Sequence, residues 1–560
     1  MLSRRFLQQR PRHVNVGTAA AATRLYSPAQ RAPVPARFYS SSSSETGKAS
    51  SSWSVRALAA PLAAGAAGLA VGLYYSSSDR SRDQHHHLPG TTTAAAAAAT
   101  TTTAIPDLNQ LGLSDQIAYA SPPTSEDVTR QLNEGAWSCR PAVGEEKSGS
   151  AVSRYDGAQL GSNSPCEDRY LHGRFASPLA SSSGSGSDDW MAWAVFDGHC
   201  GWQMSDLLTR ELVPSVRRAL AKAVGSGGGN GDGAEGVSEE KAIHDALKTA
   251  FTALDDSVVQ TAAATIERDD LSFPEKARRL EAAYAGACAL LALFDPATRT
   301  LRVASTGDCR AVLGERKAAI SSSSSPSSST DNNNSNDSSN SNWQATDLTT
   351  DHTGANPDEV ARLQAQFPDE PNMVAGGRVW GMQPSRTFGD GMWKWPAALK
   401  RTLRQRWNGL SLPSTARYRD YKDGPYLTAE PAVTTVRVSP ASDDAGAFLI
   451  LATDGLWDMM TSAQAVDLVG RWIDSQKGQG SSSSSPPSSP DFGPTILGWK
   501  RSCQYEESKA TVQDPNAAVH LIRNGLGGAD DEMVRGALTF RYPNSRDIRD
   551  DITVQVVFFR

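Results

Sequence analysis

Apolar residues along this chain gather in short runs separated by polar and low-complexity stretches. Residues 190–196, 286–294, 301–305, 447–453 and 552–559 have the length and the Val, Leu, Ile and Phe content of strands. Asp295-Pro296-Ala297-Thr298 is a turn signal between two of them, so 286–305 predicts a hairpin. Helical patterns intervene at 204–219, 240–261 and 463–475. Together they predict an α+β fold: antiparallel sheets at the core with helices packed outside.

Polar low-complexity runs at 91–104, 181–187, 225–233, 321–342 and 481–489 cannot bury a core and read as surface loops or linkers. They leave one large domain over 130–560, interrupted by polar insertions at 177–189, 224–237, 318–343 and 477–494, with no internal repeat. Upstream, 45–129 reads as a linker in which His85-His86-His87 is simply solvated. It contains an uncharged Ala/Leu/Gly-rich stretch at 57–75, flanked by Arg56 and by Asp79, Arg80, Arg82 and Asp83, which predicts a transmembrane helix. Residues 1–44 carry many Arg, Ser and Ala and no acid before Glu45, the composition of a mitochondrial presequence. The expected location is therefore the mitochondrion, at the inner membrane, facing either the matrix or the intermembrane space.

Charge and cysteine usage narrow the partners. With 55 Lys plus Arg against 61 Asp plus Glu, a net charge of -6 over 560 residues gives no electrostatic case for nucleic acid. The six cysteines form no CxxC pair, so neither a zinc framework nor a dense disulfide scaffold is indicated.

The acids carry more information. Phe196 is followed by Asp197-Gly198-His199, Ser305 by Thr306-Gly307-Asp308, and Thr453 by Asp454-Gly455. Asp550-Asp551 stands just before the strand at 552, and Glu167-Asp168 supplies another pair. Taken singly, Asp-Gly after a strand is a turn. Taken together, strand-edge acids in an antiparallel sheet can converge at one end. Carboxylates packed there repel one another unless protons or cations compensate, and all-oxygen ligands favour Mg2+ or Mn2+.

Six ordered segments are then specific: Ser162-Asn163-Ser164-Pro165-Cys166-Glu167-Asp168, Val195-Phe196-Asp197-Gly198-His199, Gly307-Asp308-Cys309-Arg310-Ala311-Val312, Pro384-Ser385-Arg386-Thr387-Phe388-Gly389-Asp390, Thr453-Asp454-Gly455-Leu456-Trp457-Asp458 and Arg549-Asp550-Asp551-Ile552-Thr553-Val554. Their order and wording resemble the type 2C metal-dependent serine/threonine protein phosphatases over about 150–560. The resemblance implies a central sandwich of two antiparallel β-sheets flanked by helices. It implies that Asp197 bridges two Mg2+ or Mn2+ ions, with Asp454 and Asp550 completing one site and Glu167 and the Gly198 carbonyl helping to hold the other. Asp308 and Asp458 match a weaker third site, and Asp168 a residue that orients metal-bound water. A metal-activated water would attack the phosphate of a phosphoserine or phosphothreonine protein, with Asp197 and His199 as the catalytic residues and His199 as general acid.

Two positions depart from the pattern. Asn163 stands where many members have an arginine that holds the substrate phosphate, which leaves that task to the metals or to another cation such as Arg169. Cys200 stands where glycine is common. The stretches Gln159 to Arg169 and Pro425-Tyr426-Leu427-Thr428-Ala429-Glu430-Pro431 look most like the mitochondrial pyruvate dehydrogenase phosphatase branch, which implies the E1 alpha subunit as substrate. Another mitochondrial phosphoprotein is the nearest alternative. From a different class, a catalytically inactive, membrane-tethered binding module is opposed by the presence of every ligand the resemblance calls for.

Overall fold

The computed structural model describes residues 121–140, 151–178, 189–225, 235–317, 341–406, 423–440, 446–478 and 503–560. The expected presequence and the apolar stretch at 57–75 lie outside these residues, as do most of the polar insertions. Among the described residues no helix is long and apolar enough to cross a membrane.

In chain order the strands are β1 (Ala136–Cys139), β2 (Val152–Leu160), β3 (Arg169–Phe175), β4 (Trp190–His199), β5 (Gly286–Asp295), β6 (Thr300–Thr306), β7 (Arg310–Arg316), β8 (Trp343–Asp347), β9 (Val374–Ala375), β10 (Arg378–Val379), β11 (Phe388–Gly389), β12 (Ala432–Arg437), β13 (Phe448–Ala452) and β14 (Ile552–Phe559). One sheet has the order β1-β2-β14-β13-β7-β8 and the other β12-β6-β5-β4-β3, with β11 beside β5 and a small β9-β10 ribbon apart from both. Pairing within the two sheets is antiparallel, and β5 and β6 form the hairpin expected at 286–305.

Strand β5 shows why its sequence lacks a polar alternation. All ten of its residues are buried. Ala287, Ala289, Leu291 and Leu293 pack under the helices Gln203–Gly225 and Glu235–Ile266, against Leu208, Leu212, Leu247 and Phe251. Cys288, Leu290, Ala292 and Phe294 face the other sheet, meeting Ala311, Leu313, Leu449, Leu451 and Val557. A strand covered on both faces reads as a continuous apolar run. The far side of the first sheet is closed by the helices Ser462–Gly478 and Ala517–Leu526, whose Val466, Val469, Leu521 and Ile522 cover Ile450, Val554 and Val556. The result is helix, sheet, sheet, helix, as the resemblance implied.

The expected domain boundary at 130 falls inside the helix Ser125–Glu134. Thr124 caps this helix reciprocally with Asp127, and its Val128 and Leu132 are buried in the core. Among the described residues the folded part therefore begins upstream of 130, with this helix. The helices also run longer than their sequence patterns: Gln203–Gly225 against 204–219, and Glu235–Ile266 against 240–261.

Candidate active site

Antiparallel pairing decides which acids meet. The end of β4 lies beside the start of β3, with Phe196 opposite Arg169, and the end of β13 lies beside the starts of β7 and β14, with Ala452 opposite Arg310 and Val554. Acids attached to different strand ends are thereby delivered to one edge of the sandwich. There Asp197, Asp308 and Asp454 come together, each offering an oxygen within 4.8 Å of the others. They line a cleft of about 720 Å³ with Gly198, His199, Cys288, Arg546 and Asp550. The triplet Asp197-Gly198-His199 is not the turn its composition suggests: it continues β4, paired with Cys288, Ala287 and Gly286, and the chain turns only after it.

Glu167 reaches the same edge through its backbone. A Cβ on Gly198 would collide with the Glu167 carbonyl oxygen, so glycine is what lets the two segments touch. Asp551, which sequence reasoning gave no role, fixes this loop. One of its oxygens accepts from the backbone N–H groups of Ser162 and Asn163, the other from the Glu167 N–H at 2.8 Å and the Asn163 side-chain amide at 2.9 Å. Asp168 is almost fully buried, and its Oδ2 accepts from the hydroxyls of Thr453 at 2.9 Å and Thr553 at 2.8 Å.

The cluster is electrostatically incomplete. Burial, followed by the neighbouring carboxylates, holds Asp197 and Asp454 well above the ordinary carboxylate range. Burial and then Asp551 push Asp168 up to about 7, and the same two causes raise Glu167. The Oδ1 atom of Asp168 is buried without a hydrogen-bond partner. Crowded oxygen donors, each disfavoured as an anion by its neighbours, with an unpaired buried oxygen beside them, fit hard divalent cations. Asp458 is not brought into the three-acid cluster. It follows the short helix Asp454–Trp457 and lines a separate cavity with Arg310 and Trp457, although its charge is felt by Asp454.

His199 has a partner that its sequence neighbourhood does not reveal. Its Nε2 lies 2.8 Å from Oδ2 of Asp390, a fully buried carboxylate 191 residues away in the chain. The pair lies over Gly286, where a Cβ would collide with both side chains. Burial works against a charged imidazole here, but Asp390, Asp308 and Glu167 outweigh it, and His199 stays protonated to higher pH than an ordinary histidine.

The geometry has the parts of a metal-dependent phosphoryl-transfer site, and comparison with known proteins agrees. The protein phosphatase 2C family profile matches residues 159–486. The chain is also 34% identical over 441 residues to a protein phosphatase 2C homolog of Schizosaccharomyces pombe, covering 78% of this chain and 86% of that one. This chain belongs to the protein phosphatase 2C family. Other similar proteins are the mitochondrial pyruvate dehydrogenase (acetyl-transferring) phosphatase 1 of Saccharomyces cerevisiae, 30% identical over 427 residues with 73% and 69% of the two chains covered, and its Bos taurus namesake, 28% identical over 502 residues with 79% and 85% covered.

Within this protein phosphatase 2C the two sequence departures have physical accounts. The amide of Asn163 is committed to Asp551 and, at 3.3 Å, to Glu167, so it holds the loop rather than a ligand. Arg169 does not line the cleft: its Nη1 donates to the carbonyls of Cys166 at 2.7 Å and Asp168 at 2.8 Å, and its guanidinium stacks over Trp202. Cys200 sits at φ 57°, the left-handed region that favours glycine. Although the side chain is exposed, loss of water from its surroundings, then Asp390 and Glu167, push its thiol up to about 12, which keeps it protonated at neutral pH. All six cysteines are free thiols. Arg386, within a matching segment, is a scaffold residue: with Arg362 and Ser385 it surrounds the carboxylate of Glu359. Asp390 closes that same segment, and nothing in its local pattern signals contact with His199.

Proposed function

We propose that this protein serine/threonine phosphatase acts in mitochondria, with the pyruvate dehydrogenase E1 alpha subunit as substrate. The observation that carries this reading is likeness over 73% and 79% of the chain to two relatives named as mitochondrial pyruvate dehydrogenase phosphatases. The Arg-rich, acid-free composition of 1–44 supports the compartment.

Asp197, Asp454 and Asp550 would hold one Mg2+ or Mn2+ ion; Asp197, Glu167 and the Gly198 carbonyl a second; Asp308, beside Asp454, a weaker third, for which the resemblance also named Asp458. Such ions, when bound, acidify water and screen the charge of a phosphate monoester. His199 supplies the proton that the departing seryl or threonyl oxygen needs. Because Asp390 engages Nε2, Nδ1 is the nitrogen left to donate it. Asp390 keeps the ring charged and oriented, and Asp168, tied by Thr453 and Thr553, keeps a second oxygen without a protein partner among the described residues.

Two measurements test the reading. The full chain should hydrolyse an E1 alpha phosphopeptide only when Mg2+ or Mn2+ is added; no turnover across a metal titration would leave the inactive binding module standing. Deletion in the source organism should raise E1 alpha phosphorylation in mitochondria. A rise confined to other mitochondrial phosphoproteins would transfer the assignment to them.

A further inference from the structure

A phosphate monoester dianion entering a cleft walled by carboxylates is held by positive charge, and this chain lacks the arginine that many relatives place at Asn163. Among the described residues, the arginines that line the cleft are Arg378 and Arg546. Arg169 is used up on backbone carbonyls and on Trp202. Arg378 lines the outer cleft but is exposed on the β9-β10 ribbon, and donates to the Gln383 side chain at 3.0 Å and the Gly381 carbonyl at 3.4 Å. Arg546 lines the cleft with Asp197, Asp454 and Asp550, and its side chain is 38% exposed.

We infer that Arg546 grips the non-bridging oxygens of the substrate phosphate, in place of the arginine missing at Asn163. The inference rests on the phosphatase activity of the family and on three features of this chain. First, Arg546 belongs to the short 3-10 turn Asn544–Asp547, which is laced to the Ser162–Asn163 loop: the Ser545 hydroxyl donates to the Ser162 carbonyl, and the Ser162 hydroxyl donates to the Arg549 carbonyl at 2.8 Å. An arginine lining the cleft is thus held by the same loop that carries Asn163. Second, its side chain reaches into the cleft, lining it with Asp197, Asp454 and Asp550 while staying 38% exposed. Third, its guanidinium uses Nη1 on the Asp550 carboxylate, and Asp550 is the partner found for it among the described residues. A guanidinium has five N–H donors in a planar fork, so Nη2 and Nε remain to bind an oxyanion while Nη1 stays on Asp550. His199 and Arg546 are separate groups lining the same cleft, so the departing oxygen and the retained phosphoryl oxygens can meet different side chains.

The test compares Arg546→Ala, Arg546→Lys and Arg378→Ala with wild type in the Mn2+-loaded full chain. Inorganic phosphate binding is measured by calorimetry, alongside kcat and KM for a phosphopeptide. Arg546→Ala should weaken phosphate binding and raise KM by about 10- to 100-fold, the range for a hydrogen bond to a charged group. Arg546→Lys should recover part of the loss, while Arg378→Ala should leave phosphate affinity unchanged. Unchanged phosphate affinity in Arg546→Ala would overturn the inference, as would a loss that disappears on raising Mn2+, which would make Arg546 a support for Asp550 alone. Phosphate binding that depends on Arg546 in a wild type without turnover would remove the phosphatase reading and keep this one.

Discussion

Replacing Asp390 with asparagine isolates what the buried carboxylate does for His199. The substitution is nearly isosteric, and asparagine tolerates the left-handed backbone found there, φ 50°, as well as aspartate does. Only the charge opposite Nε2 at 2.8 Å is removed. A hydrogen bond between charged groups contributes roughly 1.5–3 kcal/mol, and about 1.4 kcal/mol is a factor of ten, so the protonated ring loses about 10- to 100-fold of its advantage. His199 is now held above its ordinary 6.5; without Asp390, burial prevails and its pKa falls. A general acid must be protonated, so activity is lost as pH rises through the pKa, and the alkaline limb of kcat should move to lower pH in the variant. The assay is kcat against pH for a phosphoserine peptide and for p-nitrophenyl phosphate, whose leaving group needs little protonation. The peptide should suffer the full loss and the aryl ester much less. Equal losses on both substrates, or an alkaline limb that does not move, would refute the role given to the pair, provided thermal unfolding shows an intact fold.

Three further outcomes follow from the geometry. Asp197→Asn should abolish turnover, yet raise the melting temperature measured in chelator, because it relieves repulsion among Asp197, Asp454 and Asp308; the stabilisation that Mn2+ gives wild type should vanish in the same scan. Buried His520 donates from Nε2 to the Leu468 carbonyl and accepts at Nδ1 from Asn524, so it is neutral, and burial holds its pKa down at about 4 against 6.5. The unfolded chain takes up this proton first, so the contribution is complete above pH 6.5 and is lost on acidification toward pH 4, on the order of 3 kcal/mol; denaturant melts of wild type and His520→Gln should diverge across that window. Cys200→Gly should stabilise by about 0.5–1 kcal/mol in the same assay, since it removes a side chain from a positive-φ position; a clear loss of stability would argue that the thiol packs usefully.

The strands that sequence patterns located were those covered on both faces, because a run such as residues 286–294 is apolar throughout and leaves no competing reading. Helix ends and the start of the domain were less legible. The helix Ser125–Glu134 shows only two buried apolar residues, Val128 and Leu132, on an otherwise polar surface, and a pattern that sparse resembles a linker.

The sequence by itself determined the chemistry available: acids at strand ends, an imidazole beside one of them, and a family wording that ties them to metals and phosphate. Tertiary structure alone decided how those groups are divided. Asp197, Asp308 and Asp454 meet because antiparallel pairing carries the ends of separate strands to one edge, while Asp458, only four residues beyond Asp454, turns to another cavity. Asp390 reaches His199, and Asp551 reaches Asn163 and Glu167, across separations of hundreds of residues that local pattern cannot register. Hydrogen bonds and charge act over a few ångströms of space, and only the fold converts chain separation into that distance.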